Sequence, residues 1–285
     1  MYRKPTLFSN LIRHAIIWVV ILFVMFPLIY IISSSFNPAN SLVGQSIIPD
    51  NISWQNYDKL INSDQHPFLI WMWNSIKISL ITSLLVVSMT ALAAYAFSRF
   101  RFAGRRNGLF VILLVQVFPQ MLAMVAIYLF FLEIQQVVPA IGLNTHTAVI
   151  ITYLGGAVGV NTWLMKGYLD TIPRSLEEAA YIDGASRFQA FYKIILPLAR
   201  PILAVLFVLQ FIGTYSEYVL ARILLTSTDK FTLAVGMFNF ISEKYSTRWG
   251  VFAAGALMGA IPIIILFFLS QQHLKSGLSR GAVKE

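Results

Sequence analysis

Apolar residues run almost unbroken through six stretches of the chain, at about residues 15–35, 76–97, 108–132, 147–165, 199–221 and 250–272. Each supplies roughly the 20 residues that a helix needs to cross the hydrocarbon core of a bilayer. Polar and charged residues gather in the segments between them. The pattern predicts an all-α integral membrane protein with six transmembrane helices, forming one membrane domain over residues 1–285. The fifth stretch contains Glu217. A charge at the centre of a membrane helix costs about 2.5–3.5 kcal/mol. Glu217 is therefore expected near a helix end or facing a polar cavity.

The basic residues orient the helices, because cytoplasmic segments of membrane proteins carry an excess of Lys and Arg. With the N-terminus in the cytoplasm, the inner segments hold Arg3, Lys4 and Arg13, then the cluster Arg99 to Arg106, then the cluster Lys166 to Arg200, then Lys275, Arg280 and Lys284. The outer segments keep only Lys59, Lys77, Arg222, Lys230, Lys244 and Arg248 of the 21 basic residues. Both termini of this multi-pass chain are expected on the cytoplasmic side. The run Ala15–Ser35 is longer than a signal-peptide core, and Ser33-Ser34-Ser35-Phe36 is a poor cleavage site. The first helix is read as uncleaved.

Composition narrows the classes further. The chain is 58% hydrophobic and 12% charged, whereas soluble domains carry about 25% charged residues. The net charge of +9 is accounted for by the cytoplasmic face, so no nucleic-acid partner is expected. The absence of cysteine excludes disulfides, thiol catalysis and cysteine-bound metals. His14, His66, His146 and His273 are scattered, with no H-E-x-x-H and no paired carboxylates in a span. No catalytic and no metal site is expected. There is no G-x-x-x-x-G-K-[ST] loop, so any ATP and Mg2+ belong to another chain.

Small residues mark helix contacts. Gly155 and Gly159 lie four apart in the fourth span, as do Gly255 and Gly259 in the sixth, a spacing that lets backbones approach closely. Ser79, Thr82, Ser83, Ser88 and Thr90 in the second span either hydrogen-bond a neighbouring helix or line a polar path.

One stretch stands apart from its apolar surroundings, EEAAYIDGASRFQAFYKIILP at 177–197. Ser175 and Glu178 have capping-box spacing, and Pro173 suits a helix start. A short helix is expected over about 175–183. Asp183-Gly184 reads as a turn, with Gly184 free to take positive φ. Ser186 and Gln189 repeat the capping-box spacing and open a second helix. Pro197 and Pro201 bracket the start of the fifth span. Ala179 and Ala180 leave a flat surface beside the charges of Glu178 and Asp183. Phe188, Phe191 and Ile194 face the bilayer or the bundle. Physical reading leaves two roles open, a finger that docks a soluble partner and an amphipathic connector resting on headgroups.

The pattern E-A-A-x3-G-x9-I-x-L-P is met by Glu178, Ala179, Ala180, Gly184, Ile194, Leu196 and Pro197. It resembles the EAA loop of permease subunits in binding-protein-dependent ABC importers. The segments Gly142–His146 and Leu233–Met237 and the tail Gly277 to Lys284 resemble, more narrowly, the maltose/maltodextrin type of permease subunit. The external loop at about 36–74 is short for that type. The resemblance implies a type I importer permease, residing in a bacterial cytoplasmic (inner) membrane and moving oligosaccharides by alternating access. It implies a second permease subunit, generally a copy of the chain or, in the maltose type, a different protein. Two ATPase subunits and an extracytoplasmic sugar-binding protein complete the complex. The EAA loop with Asp183 would couple to the ATPase. Gly277, Gly281 and Lys284 would touch the ATPase dimer, and Lys244, Tyr245 and Trp249 the binding protein. Asn74, Gln116, Gln120, Gln210, Tyr215 and Glu217 are candidates for the substrate path on polarity alone. A permease for a different sugar or sugar phosphate is the main alternative, and a secondary transporter or channel a distant one.

Overall fold

The computed structural model describes residues 7–39, 48–49, 51–117, 120–242 and 248–282, with side chains for all of these except 7, 106, 120, 121 and 273–282. The elements are α1 (Leu7–Phe36), α2 (Gln55–Ile61), α3 (Phe68–Arg99), α4 (Arg105–Val117), α5 (Met124–Val137), α6 (His146–Asp170), α7 (Ser175–Ile182), α8 (Arg187–Leu198), α9 (Arg200–Ser216), α10 (Val219–Leu224), α11 (Leu233–Ser242) and α12 (Trp249–Ala282). No strand occurs among the described residues. Helices are what an apolar medium demands, since they satisfy their own backbone polar groups.

Among the described residues, α1 from Phe8, α3, α6 and α12 to Gln272 are each long and apolar enough to cross a membrane. The pair α8 and α9 adds a fifth crossing if it is counted as one span, bent by 74°. The third expected span, 108–132, is not one continuous helix. It consists of α4, a 3-10 turn over Gln120–Ala123, and α5. The sequence of this run includes Pro119, which lies outside the described residues, and proline is a poor fit to a helix interior. The fifth expected span, 199–221, ends early. Its helix stops at Ser216, and Glu217 is extended at ψ 129° before α10 begins.

The chain divides into two compact units, one built from Met1–Phe68 and Met237–Ile261, the other from Leu69–Gly236 and Pro262–Glu285. In the first unit, α2 grips the end of α1. Asn56 donates to the carbonyls of Ser35 and Asn37 at 3.0 and 2.8 Å, and the Phe36, Trp54 and Tyr57 rings cluster 5.0–5.4 Å apart. Gly255 supports the small-residue expectation here, because a Cβ at that position would overlap the Met237 side chain.

In the second unit, one end is closed by a core of Ala91, Ala94, Tyr95, Met165, Leu169, Phe191, Ile195 and Leu206. These residues join α3, α6, α8 and α9. At another place in this unit, Asn144 adopts a left-handed φ of 59°, which asparagine tolerates better than most residues. Its side chain accepts from the N–H groups of Thr226 and Ser227 and donates to Ser227 Oγ. Asn144 thereby ties the start of α6 to the segment after α10.

Candidate functional site

The polar stretch forms the helix-turn-helix that its residues predict. The first helix, α7, runs over Ser175–Ile182, but not through the expected Ser175–Glu178 capping box. The chain is already helical at Arg174, with φ −67° and ψ −25°, so Ser175 lies inside the helix. The carbonyl of Arg174 accepts from the N–H groups of both Glu177 and Glu178. The second box is present: Ser186 and Gln189 cap one another reciprocally at the start of α8.

Gly184 has φ +84°. The Ala185 N–H bonds to the Ala180 carbonyl at 2.9 Å, and the Gly184 N–H to the Tyr181 carbonyl at 3.1 Å. This pair of bonds is the Schellman closure of a helix end. Over Phe191–Ile195 α8 widens into a π turn. Pro197 follows, and without an N–H it cannot bond the Lys193 carbonyl as a regular helix would.

The loop sorts its side chains by face. Glu178, Ala179, Asp183 and Gly184 are exposed and Ala180 is half-buried. Ile182 is 87% exposed. That is a strongly apolar side chain on a polar loop, beside two free carboxylates. Of the motif's second half, Ile194, Leu196 and Pro197 are half-buried, and Leu196 packs against the core that joins α3 and α6. Phe191 is buried in that core, whereas Phe188 points outward.

The inner face holds a polar network that sequence reading missed. Glu177 is only 3% exposed. Its carboxylate accepts from Tyr95 Oη at 2.8 Å and forms an ion pair with Arg99 Nε. Arg99 also donates to Ser98 Oγ at 3.1 Å and to the Ile172 carbonyl at 2.9 Å. Ser98 Oγ donates to Asp170, which also pairs with Lys166 at 2.5 Å. The Arg187 guanidinium lies over the Phe100 ring, 5.5 Å from its centre.

A second polar cluster lies between α6 and α9. Tyr153 donates to Glu217 Oε2 at 2.5 Å, and Glu217 also accepts the backbone N–H groups of Leu220 and Ala221 at 2.8 and 3.1 Å. The carboxylate thus caps α10, which is why a charge is tolerated in the fifth apolar run. Asn161 donates to Gln210, and Gln210 donates to Thr214. A cavity of about 260 Å³ opens here, lined by Thr152, Tyr153, Gly156, Gln210, Thr214 and Glu217 among others.

The loop lies within a region that matches a known family. Residues 87–280 match the family described as the inner membrane component of binding-protein-dependent transport systems. The chain belongs to that family. This inner membrane component is 43% identical over 282 residues to the maltose/maltodextrin transport system permease protein MalG of Vibrio vulnificus (strain YJ016), covering 95% of this chain and 94% of the relative. It is 42% identical to the protein of the same name from Escherichia coli (strain K12), covering 96% and 95%. Among solved structures, a bacterial ABC transporter involved in the import of the acidic polysaccharide alginate has a chain 26% identical, with a TM-score of 0.75 over 95% of this chain and 98% of that one.

Within this inner membrane component the other expected site residues separate. Glu217 and Gln210 meet at the α6–α9 cavity. Tyr215 is buried, stacked on Phe211 at 5.6 Å, with its hydroxyl unpartnered. Asn74 is a brace, donating to the carbonyls of Asp229 and Phe231 at 2.9 and 3.1 Å. Gln116 belongs to a helix contact. Its amide donates to the Gly156 carbonyl at 2.8 Å and accepts the Val160 N–H at 2.9 Å, the two backbone atoms that an α-helix joins to each other. Gly159 makes room for it, since a Cβ there would lie 2.7 Å from Gln116 Cδ.

Ser79, Thr82, Ser83 and Thr90 all face inward, whereas Ser88 is exposed. Trp249 opens α12, its ring 6.1 Å from that of Phe252. Gly277 and Gly281 lie in the last part of α12. Lys244, Tyr245 and Lys284 lie outside the described residues, as does the side chain of Gln120.

Proposed function

We propose that this chain is a permease subunit of an ATP-driven importer for maltose and maltodextrins, coupled through the 175–198 loop to a separate ATPase. The observation that carries the reading is the exposed face of Glu178, Ala179, Ile182 and Asp183, held rigid by the Schellman turn at Gly184, in a chain 43% identical to maltose/maltodextrin permeases over nearly its full length. The chain supplies a docking face and a path. ATP and Mg2+ would sit on the partner chains.

The basic residues around the loop support a cytoplasmic position for it and for both termini. A second, different permease would complete the path, with two ATPase subunits below and a sugar-binding protein on the outer side. A relative of the same fold has been solved with an alginate pentasaccharide-bound periplasmic protein, which supports the last partner. The tail with Gly277, Gly281 and Lys284 would reach the ATPase dimer, and the segment with Lys244, Tyr245 and Trp249 the binding protein. The α6–α9 cavity with Gln210 and Glu217 is the place in this chain suited to pass a hydroxyl-rich solute, because it combines fixed acceptors with donors. Transport would proceed by alternating access, with ATP-driven closure of the ATPase dimer moving the loops.

The similarity to an alginate importer favours one second reading, an importer of the same architecture for another oligosaccharide. One experiment separates them. The chain is tagged, extracted gently with its neighbours, and its partners are identified by mass spectrometry. Hydrolysis of ATP is then measured with binding protein and a panel of maltose, maltotriose and unrelated oligosaccharides. Stimulation by the maltose series alone supports the main reading. Stimulation only by another sugar selects the second, and absence of any ATPase overturns both.

A further inference from the structure

We propose that Glu177 is a positioning residue for energy coupling: through Arg99 and Tyr95 it fastens α7 to the end of α3, so that displacement of the loop is delivered to that membrane helix. The inference rests on the proposed role of the loop as the ATPase contact and adds where the motion goes.

The covalent connections of α7 are weak guides for motion. Residues 171–173 before it form no regular helix, and the turn after Ile182 contains Gly184. A helix joined only by these two segments would hinge when pushed. The non-covalent hold lies on its inner face. Glu177 and Glu178 are neighbours in sequence with opposite fates, Glu178 exposed and Glu177 buried. The buried carboxylate uses both oxygens, one for Tyr95 and one for Arg99, and both partners are on α3.

Arg99 turns this contact into a three-way fastening. Its Nε meets Glu177 in α7, one terminal nitrogen meets Ser98 in α3, and the other meets the carbonyl of Ile172 in the linker. A planar guanidinium satisfied in three directions fixes orientation as well as distance. Removing one partner of a buried pair is strongly unfavourable, whereas an apolar replacement of the whole pair is often as stable. The pair is therefore better explained by the geometry it imposes than by stability. The Ser98–Asp170 bond adds α6 to the same node, and Arg187 over Phe100 holds α8 to the same end of α3.

The test uses the whole complex in lipid nanodiscs, with the ATPase, the partner permease and sugar-loaded binding protein. Glu177→Gln keeps the size and one acceptor but removes the charge. Expected are normal co-purification of the ATPase, unchanged basal hydrolysis, and stimulated hydrolysis reduced roughly tenfold, within the usual range of coupling between sites. The exchange Arg99→Glu with Glu177→Arg should restore part of the stimulation that either single change removes. Full stimulation in both Glu177→Gln and Glu177→Ala would overturn the proposal.

A second measurement does not depend on the variants assembling. The chain has no cysteine, so spin labels can be placed at Ser175→Cys and Leu85→Cys alone. The distance between them should be the same without nucleotide and with trapped ATP, because the loop and α3 move as one body. A shift between these states in the otherwise unmodified chain would overturn the fastening. Failure of the underlying functional reading looks different, since the unmodified chain would then show no sugar-stimulated hydrolysis at all.

Discussion

Tyr153 in α6 donates to Glu217 beyond the end of α9, at 2.5 Å, and this bond marks the place where the fifth apolar run breaks. Three donors converge on one carboxylate, the Tyr153 hydroxyl and the N–H groups of Leu220 and Ala221. Tyr153→Phe should cost about 1.5–3 kcal/mol, the usual value of a hydrogen bond to a charged group. Glu217→Ala should cost more, because all three donors lose their acceptor. Thermal unfolding of the purified protein in detergent should rank the proteins in that order, and equal midpoints would refute the capping role.

Gly184→Asp should abolish uptake while leaving membrane insertion intact. Space is not the constraint, since no atom lies within 4 Å of a Cβ built there. The constraint is φ +84°, which costs a residue with a side chain about 1–2 kcal/mol, together with a new charge on the exposed face of the loop. Gly184→Asn tolerates this φ better and should retain part of the uptake. Normal uptake by the Asp variant would count against the loop as the coupling element.

A single cysteine at Ala180 should crosslink to the ATPase subunit and resist membrane-impermeant thiol reagents applied to intact cells. Ala180 is half-buried on the loop, close to the exposed Glu178 and Asp183. Labelling from outside would reverse the orientation drawn from the basic residues.

Gly159 and Gly155 should respond oppositely to alanine. At Gly159 a Cβ would lie 2.7 Å from Gln116 and 2.9 Å from Ile112, so Gly159→Ala should destabilise by about 1–3 kcal/mol, as overpacking does. At Gly155 nothing lies within 4 Å, and Gly155→Ala should be neutral or stabilise by up to about 1 kcal/mol through helix propensity. Thermal unfolding of the two variants in detergent checks the contrast.

Removal of residues 277–285 should leave the membrane fold in place and weaken the coupling of hydrolysis to sugar. Sugar-stimulated ATPase activity of the truncated complex is the measurement. Activity equal to that of the full chain would exclude the tail from the ATPase contact.

The pair of glycines shows where sequence stops being informative. Their spacing announces a helix contact, but only the position of Gln116 on another helix decides which glycine serves it. The apolar runs and the Asp-Gly turn were legible because each is written in neighbouring residues. The Ser175 cap was misread because the preceding Arg174 had already entered the helix, a matter of backbone angle rather than residue type. Glu177 was hidden for another reason. Its partner Arg99 is 78 residues away, and two adjacent glutamates on a short helix carry no local sign of which one turns inward.

Gln116 carries a further meaning in the order of synthesis. Its amide meets the Gly156 carbonyl and the Val160 N–H, in a stretch of α6 that reads Gly-Gly-Ala-Val-Gly and has little intrinsic tendency to stay helical. The ribosome makes residue 116 well before residue 156. The side chain that steadies this glycine-rich turn is therefore made before the turn itself, and α4 supplies from outside the bonds that the turn's own residues favour least.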